Sequence, residues 1–426
     1  NISIEGKQIT FTNLKAGIKY TIRVEVKDNA QNTTTKDITI ITGSVAAGES
    51  VIEYEITPSD WTNQNVHLSL SIAQGYEGYK IEYKLPGNDW KEYESAIEIS
   101  SNQTVQVRPL DASGNIGGEM SIDITKIDKV APTLSAEPTS DKTASQTKKI
   151  VVTAQDSNND SNISGFLAGR TIKYAWSTSS TEAPSFDLTA TSTNTLGATK
   201  ATFEVTTPNY TGNYYLWIQA GCIADRAGNT NAVAHFGPYT LDNQAPSITF
   251  TPNGDNNYTK VHNVAVNSGD ATVRRYVWQQ QNTKEPAKGD FTGTFTNDEN
   301  LTKNSGSGDW YLWVYVEDSL GNSAIKCSNV FKFDNTAPTI TFGTNGNSTP
   351  QKSHSTTVNI ANDGYSSIDN NTLKYIWSTS ATGITESSFN SVSDTYTNGG
   401  NVQNSSLNGN YYLWVRAVVG EIEKEQ

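Results

Sequence analysis

Four landmarks recur in the same order along this chain, and that self-similarity constrains the fold more than any other feature. An Ala-Pro lead-in stands at Ala131-Pro132, Ala245-Pro246 and Ala337-Pro338. A Tyr-x-Trp segment follows at Tyr174/Trp176, Tyr276/Trp278 and Tyr375/Trp377, and an aromatic-Tyr-Leu-Trp segment at Tyr214 to Trp217, Trp310 to Trp313 and Tyr411 to Trp414. The fourth is Asp-x-x-Gly-Asn, at Asp111 to Asn115, Asp225 to Asn229 and Asp318 to Asn322, with a degenerate copy from Asp28 to Asn32. Equivalent positions lie between 83 residues (Asp28 to Asp111) and 114 residues (Asp111 to Asp225) apart, the length of one β-sandwich.

Within the repeats, apolar and polar residues alternate. Tyr20, Ile22, Val24 and Val26 point one way and Thr21, Arg23, Glu25 and Lys27 the other, which is the period of a half-buried strand. No segment carries a sustained apolar stripe of period 3.6 with caps, so helices are expected to be close to absent. Charge and cysteine content narrow the function. With 31 basic against 44 acidic residues the net charge is -13, the wrong sign for neutralising phosphates, and a nucleic-acid partner is set aside. No run approaches the roughly 18 apolar residues of a membrane span. Asn1 opens the chain without a signal-peptide pattern, so an excised or processed segment is expected. Cys222 and Cys327 fall in different repeats and cannot form a disulfide inside one sandwich, so stability must come from the cores. An acidic, nearly cysteine-free exported chain fits a bacterial origin.

These residues carry a family resemblance. The stretch from Leu14 to Asn32, with Gly17, Tyr20 and a strand running into Asp28, is similar to the E-F corner and F strand of a fibronectin type III module. Residues 45–128, with Ile81-Glu82-Tyr83, Trp90, Val105 to Arg108 and Asp111 to Asn115, resemble bacterial Ig-like surface repeats, as do the later units. The resemblance implies an all-β fold, an elongated tandem array of Ig-like and fibronectin type III-like β-sandwiches from a large Gram-positive cell-surface, adhesin-like protein. Five units are read: 1–44 (the C-terminal half of a fibronectin type III-like module), then Ig-like modules at 45–128, 129–241, 242–333 and 334–426, the last C-terminally truncated with its final hairpin missing or altered. The last departs from the pattern, since Val418, Val419, Gly420 and Glu421 replace Asp-x-x-Gly-Asn.

If the fourth landmark is the turn between strands F and G, counting back from Asp318 by twos places Val316, Val314, Leu312 and Trp310 in the core. The opposite parity turns Tyr311, Trp313 and Tyr315 outward, as it does Tyr215 and Trp217, and Tyr412 and Trp414. Outward tryptophan at one place in three repeats has two readings. Either the long connection before the strand, such as Ser177 to Asn213, folds back over the ring, or Trp stacks on polar residues of strand C, and the aromatics finish a sheet face. Otherwise Tyr215, Trp217, Tyr311, Trp313, Tyr412 and Trp414 form an exposed platform for a glycan or a protein ligand.

The Asp-x-x-Gly-Asn turns are read the same two ways. As structure, Asp caps a strand end and Gly-Asn supplies the backbone of a tight hairpin. As function, they collect hard oxygen ligands for Ca²⁺ where one unit meets the next. Asp128, Asp156, Asp160 and Asp225 form the richest set; Asp242, Asn243, Asp270 and Asp318 form a poorer one. Asp334, Asn335 and Asp363 form the poorest, with Val419 where the turn Asp would stand. No catalytic function is expected: the four histidines are scattered, and no metalloprotease, nucleophile-elbow or phosphate-loop motif occurs. The leading expectation is a structural stalk of an extracellular or bacterial cell-surface protein, joined to further domains of the same protein. The alternative is an adhesin or carbohydrate-binding array. Five units of strands about 33 Å long should span on the order of 150 Å end to end, and a compact, near-spherical small-angle scattering profile would refute the stalk.

Overall fold

The computed structural model describes the whole chain apart from residues 1, 6–7, 13, 16–17, 43–46, 158–161, 363, 421 and 426. The fold is all-β, a tandem array of β-sandwiches. Among the described residues helix is confined to one turn at Gly48–Val51 and three short 3-10 turns. The chain divides into two compact units, Asn1–Asp242 and Asn243–Gln426.

In the first unit, the hairpin Lys19–Lys27/Thr33–Ile41 is paired along its whole length, Lys19 facing Ile41 and Lys27 facing Thr33. Beyond it the strands Ile52–Thr57, Val66–Ile72 and Ile97–Ile99 make a three-stranded sheet that faces a four-stranded one, ordered Met120–Ile124, Gln103–Leu110, Lys80–Lys84, Lys91–Glu92. Leu68, Ile99, Val105, Val107 and Ile122 fill the space between them. The next sandwich pairs Thr133–Glu137, Lys149–Gln155 and Lys200–Thr206 in one sheet. Its other sheet runs Asp141–Ser145, Ala234–Leu241, Gly212–Ile218, Thr171–Ser177, Leu188–Thr191. Ile150, Val152, Phe203, Leu216 and Tyr239 close the core.

The second unit repeats the plan twice. Thr249–Thr251, His262–Asn267 and Asn300–Lys303 face a sheet centred on Gly308–Glu317. Thr339–Phe342, His354–Ala361 and Gly400–Asn404 form the sheet of the last repeat, alongside a sheet of Lys374–Ser378, Tyr412–Val419 and Ile422–Glu425. The strand Gly308–Glu317 shows why the sequence alternates as it does. Leu312, Val314 and Val316 are fully buried in the inter-sheet core with Phe331 and Phe333, and Trp310 packs against them. In each repeat the Tyr-x-Trp strand pairs with this aromatic strand, Trp278 standing opposite Leu312 and Trp176 opposite Leu216. In the last repeat a tight reversal at Gly420 sets Val419 opposite Ile422, so the altered hairpin still closes.

The Asp-x-x-Gly-Asn turns share one hydrogen-bond pattern. Asp318 Oδ1 accepts the Leu320 and Asn322 amides at 2.8 and 2.9 Å, and Oδ2 accepts Asn322 Nδ2 at 2.8 Å. Asp111 does the same with Ser113 and Asn115, and Asp28 with Ala30 and Asn32. The turn needs positive φ at its fourth residue, which Gly114, Gly228 and Gly321 supply and Gln31 adopts at 68° in the degenerate copy. Burial of Asp318 opposes ionisation, yet the Asn322 side chain and the turn amides hold its pKa below the ordinary carboxylate range. Such a carboxyl contributes stability that is present above about pH 4 and lost as pH falls through its folded-state pKa. Asp318→Ala should therefore cost about 1–3 kcal/mol at neutral pH, and the cost should shrink on acidification to pH 3; denaturant unfolding of the full chain at the two pH values checks both.

Candidate functional site

Six aromatic residues and six aspartates are the positions to place. The aromatics leave the inter-sheet core, as their parity requires, but Trp217 and Trp313 are only 5% and 6% exposed. The connection preceding the strand covers them. Trp313 packs with Tyr315 and with Phe291, which is fully buried in the connection after strand Val273–Gln279, and Val277 and Tyr311 join the cluster. A backbone carbonyl from the start of each connection accepts the indole N–H: Ser179 from Trp217 at 3.0 Å, Gln281 from Trp313 at 3.1 Å and Ser380 from Trp414 at 3.2 Å. His235 stacks on Trp217 at 4.6 Å between ring centroids. An open row of rings is thus ruled out at Trp217 and Trp313, each buried within its own repeat. Tyr215, Tyr311 and Trp414 are half-buried, and Tyr412 is exposed. Tyr311 lines an open groove with Asn253, Asp255, Asn282 and Asn329.

Three aspartates come together. Asp128, Asp156 and Asp225 are buried, and one carboxylate oxygen from each lies within 4.8 Å of the others. Asp128 follows the first sandwich, Asp156 ends the strand Lys149–Gln155, and Asp225 opens the turn between Gly212–Ile218 and Ala234–Leu241. A loop at Ser164-Gly165-Phe166 binds all three. The Ser164 amide donates to Asp128 Oδ2 at 2.9 Å, the Gly165 amide to Asp156 Oδ2 at 2.7 Å, and Phe166 bridges Asp225. Gly165 has φ 69°, and a Cβ there would stand 2.4 Å from the Gly197 carbonyl oxygen, so only glycine fits. Asp156 Oδ1 is buried and accepts no hydrogen bond. Asp160 lies outside the described residues, as does Asp363.

Electrostatics separates this cluster from its counterparts. Burial, with Asp128 and Asp225 adding like charge against the pull of the Gly165 amide, pushes the Asp156 pKa up to about 6. Asp225 sits in the same turn as Asp28, Asp111 and Asp318 and keeps the Asn229 pair at 2.9 and 2.8 Å. Its pKa is nevertheless raised, by burial and by Asp128, where theirs are lowered. Among the described residues neither Asp156 nor Asp225 has an ion pair with a basic side chain.

Among the described residues, Asp242 and Asp318 belong to no such group. Asp242 is half-buried in the first unit, its amide donating to Ser145, and Asp318 belongs to the second unit. There the position of Asp156 is taken by Ser268, which is held by Asn297 and by the Arg274 guanidinium. In the last repeat Val419 bridges Ile368, and Asp334 instead accepts the amides of Tyr365 and Ser366. The Ser-Gly-Phe loop escaped sequence reasoning; the Ser164-Gly165 pair was its single trace.

No protein-family model and no curated protein matches the chain. Among solved structures, it is similar to the protocadherin gamma B4 extracellular domain at 11% identity, over 96% of this chain and 71% of that one, with a TM-score of 0.29. It is similar to chicken CNTN1 FN1-FN3 domains at 10% identity (66% and 98% covered, TM-score 0.23) and to fibronectin(III)-like modules of Clostridium thermocellum CbhA at 11% (45% and 94%, TM-score 0.19).

Three buried carboxylates in one corner repel one another, so removing one charge relieves the fold. Asp156→Asn should stabilise the first unit by about 1–2 kcal/mol in chelator at pH 7. Denaturant unfolding measures this, and a destabilised variant would show that the Asp156 charge is compensated within the protein.

Proposed function

We propose that the chain is a non-catalytic structural segment, a run of β-sandwich modules divided at residues 44, 128, 241 and 333, that spaces other domains of a bacterial cell-surface or secreted protein. The observation that supports this most is the roofed tryptophan. A ring that is buried by its own repeat and bonded to its own backbone contributes to module stability and offers a ligand no surface. The acidic, cysteine-poor composition is in keeping with an exported bacterial chain stabilised by cores alone.

A second reading, adhesion to a glycan, has one specific observation in its favour: the groove where Tyr311 meets Asn253, Asp255, Asn282 and Asn329. An aromatic flanked by amides and a carboxylate is the chemistry that sugars use, ring face on ring face with hydroxyls bonded at the rim. A glycan array and a panel of immobilised matrix proteins probed with the full chain separate the two. The spacer reading expects no saturable binding. Saturable binding that disappears in Tyr311→Ala would overturn it in favour of the groove.

A further inference from the structure

We propose that Asp128, Asp156 and Asp225 bind a hard divalent cation, Ca²⁺, and that the ion locks the joint between the two sandwiches of the first unit. Ligand atoms around a common ion at 2.3–2.6 Å lie no further apart than about twice that distance, and the three carboxylate oxygens meet this condition at 4.8 Å. All donors are oxygen, which favours Ca²⁺ over softer metals. A second observation points to a ligand independently of the clustering: Asp156 is fully buried, and its Oδ1 is left without a partner. A buried carboxylate oxygen with nothing to bond is costly, and a cation is the partner that the surroundings lack.

The fold does not require all three charges, since a counterpart of Asp156 is Ser268 and a counterpart of Asp225 is Val419, while Asp318 and Asp334 are kept. The same corner is closed by Ser268, Asn297 and Arg274 in one repeat and by Val419 against Ile368 in another. The position also gives the ion a mechanical consequence. Asp128 donates its amide to Thr62 at 3.0 Å and accepts Asn229 Nδ2 on its carbonyl at 2.8 Å, while the Asn63 amide of the first sandwich donates to Ala227 in the turn that carries Asp225. Arg226 in that turn reaches Asp60 at 3.7 Å and lies 6.0 Å from the Trp61 ring. Pinning Asp225 to Asp128 therefore pins the turn that the preceding sandwich touches, and binding to the folded joint alone stabilises it.

Calorimetric titration of the chelator-treated full chain with CaCl₂ tests the proposal. One equivalent is expected to bind with a Kd on the order of 10⁻⁴ M, weakened at least ten-fold in Asp156→Asn and in Asp225→Asn and unchanged in Asp318→Asn. Hydrogen exchange of the unmodified chain supplies a readout that needs no variant: Ca²⁺ should slow exchange at 164–166 and 225–229. No saturable uptake at millimolar Ca²⁺, uptake indifferent to Asp156→Asn, or protection confined to other segments would each overturn it.

Discussion

Burial of apolar side chains between two sheets, without a disulfide, is the constraint on which everything else in this protein depends. Cys222 and Cys327 are free thiols, so each sandwich stands on residues such as Phe203, Leu216 and Tyr239, or Leu312, Val314 and Phe333. Alternation fixes which residues those are. A one-residue slip of Gly308–Glu317 would carry Leu312, Val314 and Val316 out of the core and put Tyr311, Trp313 and Tyr315 into it. Both sets are large and apolar, so alternation alone does not forbid the slip. The roof over Trp313 opposes it, because a slip would take the indole away from Phe291 and the Gln281 carbonyl.

This two-sided burial explains why the aromatic strand is the most repetitive part of the sequence. One face builds the sandwich; the other anchors the irregular start of the connection, before its later residues join the opposite sheet as Asn300–Lys303 or Lys200–Thr206. The strand ends in the Asp-x-x-Gly-Asn turn, where one carboxylate ties two or three backbone and side-chain donors and so sets the direction of the returning strand. In the sandwich of residues 133–241 the same turn stands beside two further carboxylates, and a hairpin cap becomes part of a buried acidic cluster.

Much of this was legible in the residues. The strand period placed Leu312, Val314 and Val316 in the core and sent Trp313 the other way, and the turn motif gave Asp its capping role. Counting carboxylates picked out Asp128, Asp156, Asp160 and Asp225, of which Asp128, Asp156 and Asp225 meet and Asp160 lies outside the described residues. What sequence did not contain was the path of irregular chain. The segment from Gln281 to Glu299 has no periodicity, so nothing announced that Phe291 would return to cover Trp313. For the same reason the Ser164-Gly165-Phe166 loop was invisible as the element that holds three aspartates together. Ser268 in the place of Asp156 shows the limit from the other side: the equivalence of two corners depends on where strand Lys149–Gln155 and strand His262–Asn267 stop, which side-chain pattern does not mark.

The central claim is that the repeated tryptophans are structural. Hydrogen exchange across Gly308–Glu317 in the full chain, compared between the unmodified protein and Trp313→Ala, tests it most directly. Removing a buried indole costs about 3–5 kcal/mol, so exchange through opening of this strand should accelerate by roughly 10²–10⁴-fold. Unchanged protection in the variant would contradict the account and return Trp313 to the surface as a residue kept for binding.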